Sequence, residues 1–180
     1  LLFTNSVFSQ SIHFRCIQVN DSADAVLYWQ SNSLPATYQY KIYTSQTLTG
    51  TYLFLDSITN ILTDTFVHKN AHANLQQNFY YIQACPLNGN TSLPIYTSDT
   101  LENIWLALDN QSTGIAFLFW QYPNRFDIND SFHIERRFNS SWEIMQLSHQ
   151  VAYNDTITFC GRTPYYQVTY DNGSGCKNIS

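Results

Sequence analysis

Hydrophobic and polar residues alternate along most of this chain. In the first half, Ala25, Leu27 and Trp29 fall on one face of an extended segment while Val26 and Tyr28 fall on the other. The same alternation recurs in both halves, at Tyr38-Tyr40-Ile42, Tyr80-Ile82-Ala84, Ala116-Leu118-Trp120, Phe132-Ile134 and Tyr166-Val168-Tyr170. Clusters of Asn, Asp, Ser, Gly and Pro separate these runs, and no segment has a sustained helical stripe. The pattern predicts an all-β chain with about seven short strands per half, as in an antiparallel β-sandwich.

The second half of the sequence repeats landmarks of the first at a spacing of about ninety residues. Trp29, Ile42, the Asp64-Thr65 pair and the Tyr80 to Ala84 segment recur in the same order, as Trp120, Ile134, Asp155-Thr156 and Tyr166 to Tyr170. Such a repeat is too long for a solenoid and suits a small sandwich. We therefore predict two tandem domains, residues 1–97 and 98–180, with the boundary near residues 94–101.

The same alternation predicts the core. Trp29 and Trp120 share a face with small and aliphatic residues, and Tyr80 and Tyr166 begin the matching later strands. These four side chains are expected to be structural core residues. Trp105 and Trp142 are expected to be less buried.

The composition and charge of the chain argue against nucleic acid and membranes as partners. The chain is 16% aromatic and only 12% charged, with a net charge of −5. Its eight basic residues are scattered, so no positive stripe indicates nucleic-acid binding or contact with an anionic membrane. No apolar run approaches the roughly 18 to 20 residues that span a bilayer, so we expect no membrane insertion of this fragment. Because the chain opens with Leu1 and lacks a basic start, we expect it to be a piece of a longer protein.

Four cysteines, Cys16, Cys85, Cys160 and Cys176, divide two per half. None forms a Cys-x-x-Cys pair, which favours disulfides over a metal site and predicts an oxidising, secreted or cell-surface location. Cys16 begins the first predicted strand and Cys85 ends the sixth, so we predict a bridge between them. Cys160 and Cys176 are expected to form a second bridge, although the predicted strand order separates them.

The landmarks resemble a known fold family. A Trp on the second strand, followed by a Tyr-x-Ile/Val strand, resembles the fibronectin type III domain, one of the immunoglobulin-like folds. The segments Tyr153 to Cys160 and Asp171 to Cys176 are similar to tandem repeats of large exported bacterial surface proteins, which commonly end in a gliding-motility-associated sorting domain. The resemblance implies two such sandwiches, used for spacing, adhesion or recognition.

Catalytic and metal-binding candidates are few. His68 and His72 have zinc-like spacing, and the segment Asp127 to Asp130 carries three oxygen-bearing side chains, but both are expected to be polar loops. Glu102, Glu135 and Glu143 are interpreted as exposed strand charges, since no spacing pairs them for acid–base chemistry. The sequence therefore predicts no catalytic, cofactor-binding or metal-binding residue and no enzymatic activity.

Outward-facing aromatic residues are the one feature that favours a binding function. They are Tyr28, Tyr43, Tyr96, Trp105, Phe117 and Phe119. Such rings suit a protein or glycan partner at the cell surface, and packing between the two domains explains several of them equally well.

The predicted function is a non-catalytic structural spacer or adhesion module of a larger surface protein. The two domains are expected to form a semi-rigid pair joined by the short connector, residues 97–101. One alternative is a carbohydrate-binding β-sandwich appended to an extracellular hydrolase. A second alternative is a cytokine-receptor-like ectodomain, although the Trp-Ser-x-Trp-Ser element of that family is missing.

Overall fold

The computed structural model describes residues 12–31, 34–110, 114–124, 126–127, 129–158, 161 and 163–180. The described residues form strands, turns and irregular segments, with no helix among them. The strands are β1 (Ile12–Val19), β2 (Ala25–Ser31), β3 (Tyr38–Ser45), β4 (Leu53–Ile58), β5 (Thr65–His68), β6 (Phe79–Pro86), β7 (Tyr96–Thr97), β8 (Leu101–Glu102), β9 (Ala107–Asn110), β10 (Ile115–Phe119), β11 (Phe132–Arg137), β12 (Trp142–Ser148), β13 (Ala152–Thr156), β14 (Tyr165–Asp171) and β15 (Lys177–Ile179). In this part of the chain, no helix could cross a membrane.

The strands assemble into three sheets. One sheet has the order β4-β3-β6-β7, with β8 also pairing with β6, and a small sheet has the order β13-β10-β9. The largest sheet has the order β12-β11-β14-β15-β1-β2-β5. Its strands come from both ends of the chain, because the first strand lies beside the last. All pairings are antiparallel except that between β1 and β15.

Two hydrophobic clusters divide the interior between the two halves. The first cluster contains Trp29 and Tyr80, and the second contains Trp120. Trp29 meets Tyr40 edge to face with ring centroids 5.3 Å apart, and Trp120 meets Phe132 in the same way at 5.4 Å. These three named landmarks are buried, whereas Tyr166, Trp105 and Trp142 are half-buried.

Most landmarks of the sequence repeat occupy equivalent positions in the paired strands of the two halves. Ile42 pairs with Ile82 between β3 and β6, and Ile134 pairs with Val168 between β11 and β14. The Asp-Thr landmark is different. The Trp29 amide donates to the Asp64 carbonyl, while the corresponding Trp120 amide donates to the Val151 carbonyl. The matching of Asp64-Thr65 with Asp155-Thr156 is therefore wrong, because Asp155 lies opposite Ala116, nearer the other end of its strand.

The predicted cysteine pairing is also wrong. Cys16 on β1 forms a disulfide with Cys176, immediately before β15, and Cys85 is a buried free thiol. Cys176 is therefore not the partner of Cys160, which lies outside the described residues. The prediction treated each half as closed on itself. In the structure, the first and last strands are neighbours, so the bridge joins the two halves.

Hydrogen bonds surround this disulfide. The Asn178 side-chain oxygen accepts from the buried Ile17 amide at 2.9 Å. The Arg15 guanidinium donates to the carbonyls of Ser174 and Gly175, and the Gln18 side-chain amide donates to the Lys177 carbonyl. We call this set the clasp: the disulfide, the β1–β15 pairing and these bonds. Asn178 lies in an Asn-x-Ser sequon, but it is buried and its side chain serves the clasp.

A second contact lies at the connector. β7 and β8 both pair with β6, so the chain remains on the sheet of the first half as far as Glu102. The buried Asn103 side chain then donates to the Ala73 and Gln76 carbonyls and accepts from the Asn78 amide. The halves are therefore joined at two places rather than by the connector alone. The division of the chain at residue 97 stays a prediction.

We predict that Cys176→Ser destabilises the protein by about 3 to 5 kcal/mol. The disulfide spans a sequence separation of 160 residues, and the chain-entropy treatment gives roughly 5 kcal/mol for so long a loop. Equilibrium urea unfolding at pH 7 measures the change. Cys85→Ala is the control, because it removes a buried thiol without cutting a bridge and should cost about 1 kcal/mol. Equal losses in the two variants would contradict the prediction.

A second prediction concerns the tryptophans. Trp29→Ala and Trp120→Ala should each cost about 3 to 5 kcal/mol, since each leaves a cavity against a ring it contacts edge to face. Trp142→Ala should cost no more than about 1 to 2 kcal/mol, because that side chain is half-buried. Thermal melting followed by far-UV circular dichroism compares the three variants. An unchanged melting temperature for Trp120→Ala would overturn this core assignment.

Candidate functional site

The three glutamates that the sequence raised as acid–base candidates lie in three different settings. Glu102 on β8 is 4% exposed, and its carboxylate accepts a hydrogen bond from the Asn124 amide. Glu135 on β11 is buried and accepts from the Gln167 side chain. Glu143 on β12 is exposed. The interpretation as exposed strand charges is thus wrong for Glu102 and Glu135.

Burial changes the chemistry of Glu102. Desolvation raises the pKa of its carboxyl to about 7, with the Asn124 amide acting in the opposite direction. The second carboxylate oxygen is buried without a hydrogen-bond partner in the part of the chain that the structure describes. This buried carboxyl joins the connector to the segment after β10.

The histidine pair and the Asp127 segment have structural roles, and the expectation of a polar loop is wrong for His68, which ends strand β5. His68 on β5 is half-buried with its Nδ1 2.9 Å from the Tyr80 hydroxyl, whereas His72 is exposed with a positive φ of 50°. In the Asp127 segment, the Asn129 backbone amide donates to the Asp127 carboxylate, and the Asp127 backbone amide donates to the Asp130 carboxylate. Ile128 lies outside the described residues. Within the described ranges, no group of three His, Cys, Asp or Glu residues could hold a metal ion.

A cleft of about 600 Å³ opens at the end of the first core. Its wall comes from the end of β3, the following loop, His68 and the loop before β6. Hydroxyl, amide and imidazole groups predominate among the lining residues Thr44, Ser45, Gln46, Thr47, Thr51, Leu53, His68, Asn70, Ala71, Gln76 and Asn78. His68 is the one titratable side chain among these residues. Burial lowers the pKa of His68, opposed by the charge of Asp24, so the imidazole is neutral at pH 7.

The second half carries an ion pair at the register that this cleft has in the first half. Thr44 lies opposite Tyr80 in the β3–β6 ladder, and Arg136 lies opposite Tyr166 in the β11–β14 ladder. Arg136 forms a 2.7 Å ion pair with the buried Asp155, to which the Tyr166 hydroxyl also donates. His68 is the first-half equivalent of Asp155. His68 lies opposite Ala25 and Asp155 lies opposite Ala116, and each alanine lies four residues before the landmark tryptophan of its half.

This internal comparison explains the opening. A long guanidinium side chain and its carboxylate partner occupy the end of the second core. At the same register in the first half, Thr44 is short and His68 is neutral. The cleft thus lies at two positions of the repeat whose residues differ between the halves.

A smaller cleft of about 320 Å³ continues from the first. Both clefts are lined by Gln46 and Gln76, whose side-chain amides are 3.4 Å apart. The smaller cleft extends to Trp105 and Gln121 in the second half. Trp105 is half-buried and is held edge to face by Phe119, with centroids 6.2 Å apart. We call the two clefts together the amide groove.

A separate cleft of about 470 Å³ contains the guanidinium of Arg137. The Arg137 Cζ lies 4.7 Å from the centroid of Trp142 and 5.4 Å from that of Tyr165. Asp21 from the first half lines the same cleft. The rings hold this cation in place by cation–π attraction.

The outward aromatic residues do not form one surface. Tyr43 stacks on Tyr81 with centroids 4.7 Å apart, outside the first core. Phe117 stacks on Phe119 at 5.8 Å in the second half. Tyr96 packs against Tyr38, and Tyr28 is half-buried on β2. Sequence reasoning identified Trp105 but missed the glutamines beside it, because their convergence depends on how the two halves meet.

Comparison with known proteins gives a distant likeness. No protein-family model matches this chain, and no curated protein matches it. Among solved structures, the chain is similar to the FN1-FN3 domains of chicken CNTN1, at 10% identity and a TM-score of 0.41. That match covers 95% of this chain but 66% of the CNTN1 chain. The chicken interferon gamma receptor alpha chain matches at 14% identity and a TM-score of 0.38, over 94% of this chain and 96% of that one. Likeness at this level does not establish a family.

We predict that Glu102→Gln removes part of the pH dependence of stability. With a folded pKa of about 7 against the ordinary 4.5, the folded state holds a proton that the unfolded state releases between these values. Wild-type stability therefore falls as the pH rises through this window, by about 3 kcal/mol at most. Glutamine keeps an acceptor for the Asn124 amide and does not ionise.

Urea unfolding at about pH 4 and about pH 8 tests this prediction. Glu102→Gln should match the wild type at the lower pH and exceed it at the higher pH. Glu143→Gln, which changes an exposed strand carboxylate, should follow the wild type at both. Parallel pH profiles for wild type and Glu102→Gln would contradict the assignment.

Proposed function

We propose that this chain is a non-catalytic structural spacer or adhesion module of a larger secreted or cell-surface protein. The clasp carries this proposal, because it joins the first and last described strands covalently and by hydrogen bonds. A disulfide of this kind is typical of an oxidising compartment. The location in a bacterial surface protein with a sorting domain stays a prediction from sequence resemblance.

We further infer that the chain consists of two fibronectin type III-like sandwiches. The strand orders support this inference. In the first half, β1-β2-β5 faces β4-β3-β6-β7, and in the second, β9-β10-β13 faces β12-β11-β14-β15. Each set has the three-plus-four arrangement of that fold. Each also encloses its own hydrophobic cluster.

The clasp gives the proposed spacer its mechanical property. A pair of domains joined by a connector alone can hinge about it. Here, such hinging would have to separate β1 from β15, whose residues are linked by Cys16–Cys176. A partner held by one half would therefore be positioned relative to the other half.

We expect both halves to tumble together in solution. Backbone ¹⁵N relaxation of the oxidised chain should give one rotational correlation time for amides of β3 and β11. Independent correlation times for the two halves would contradict the proposed rigid module. Hydrolysis of polysaccharide or peptide substrates by the same preparation, lost in Glu102→Gln, would overturn the non-catalytic assignment.

A further inference from the structure

The amide groove has the chemistry of a binding site. Its lining is rich in groups that both donate and accept hydrogen bonds, and His68 is the one titratable side chain among the lining residues. These residues include no Lys or Arg for an anionic ligand and no Asp or Glu for a cationic one. A ligand with uncharged hydroxyl groups would meet side chains able to donate and accept hydrogen bonds.

The groove also has an aromatic wall at one end. Trp105 lines the smaller cleft, and Phe119 fixes its orientation. Indole rings combine a large apolar face with little conformational entropy to lose, which suits the flat apolar side of a sugar ring. Gln77 and Gln121 line the same cleft and add hydrogen-bonding groups to it.

The two halves carry different residues at the positions where the larger cleft of the amide groove lies. The second half carries the buried Arg136–Asp155 ion pair at the same register. The first half carries Thr44 and His68 there, and the Nδ1 of His68 is engaged by the Tyr80 hydroxyl. This bond orients the imidazole, which lines the cleft.

We propose that the amide groove binds an uncharged oligosaccharide. One sugar ring packs on Trp105, and further sugar hydroxyls bond to the side-chain amide of Gln46 and to groups around His68. The Gln76 side chain holds the wall in place, because its amide donates to the Ala71 carbonyl and to the Asn78 side chain. The combined clefts are of a size suited to several sugar units. This inference goes beyond the structural role proposed above, and a module without glycan binding would leave that role intact.

The test uses the full chain with three neutral probes, cellohexaose, mannohexaose and chitohexaose, and one acidic probe, hexagalacturonate. Isothermal titration calorimetry and tryptophan fluorescence measure binding. We expect at least one neutral probe to bind with a dissociation constant in the micromolar to millimolar range. No binding of any neutral probe, or binding of the acidic probe alone, overturns the proposal. The latter result would favour the Arg137 cleft.

Two variants locate the site. Trp105→Ala removes the aromatic wall and should weaken binding roughly tenfold or more. Its matched control is Trp142→Ala, which removes the half-buried tryptophan of the Arg137 cleft and should bind as the wild type does.

The second variant is Thr44→Arg combined with His68→Asp. It copies the Arg136–Asp155 pair into the first half, so that the introduced guanidinium has a partner and fills the cleft. We expect loss of binding with a retained circular dichroism spectrum and cooperative melting. If this double variant unfolds, Trp105→Ala and Gln46→Ala, both at the groove surface, decide the question. Wild-type affinity in these variants overturns the assignment of the site.

Discussion

The contact between the first and last strands is the constraint on which the rest of this structure depends. β1 has two neighbours: β2, which belongs to the first half, and β15, which belongs to the second. The pairing with β15 is short, with Gln18 opposite Ile179. Most other bonds between the β1 and β15 regions are made by side chains. The Asn178 side chain accepts a hydrogen bond from the buried Ile17 backbone amide at the contact between β1 and β15. Without this acceptor the amide would be buried unpaired, which is costly.

Several features follow from this contact. Without the pairing between β1 and β15, each of these strands would be the edge of a separate sheet. Their pairing joins the two sheets and protects both edges from pairing with other chains. It also fixes the relative position of the two cores. The amide groove needs that fixed position, because Gln46 and Gln76 come from one half while Trp105 and Gln121 come from the other.

The sequence predicted the local features well and the long-range ones poorly. Alternation located the strands around Trp29, Ile42 and Ile134, because a half-buried strand must repeat every two residues. The cysteine pairing failed because it assumed that each half closes on itself. The Asp64-Thr65 match failed because a dipeptide of common turn residues recurs without sharing a strand register.

The functional residues were harder to predict for the same reason. Glu102 looks like an ordinary strand charge until the segment containing Asn124 covers it. Gln46, Gln76 and Gln121 are far apart in the sequence and meet only where the two halves join. The difference between Thr44 and Arg136 becomes informative once strand register shows that they hold equivalent positions.

Peptide mapping of the non-reduced protein tests the clasp most directly. After alkylation of free thiols and proteolysis without reductant, mass spectrometry identifies which cysteine peptides remain linked. We expect a peptide pair joined through Cys16 and Cys176, with Cys85 alkylated once the protein is denatured. A linkage between Cys16 and Cys85, or a free thiol at Cys16, would contradict the account.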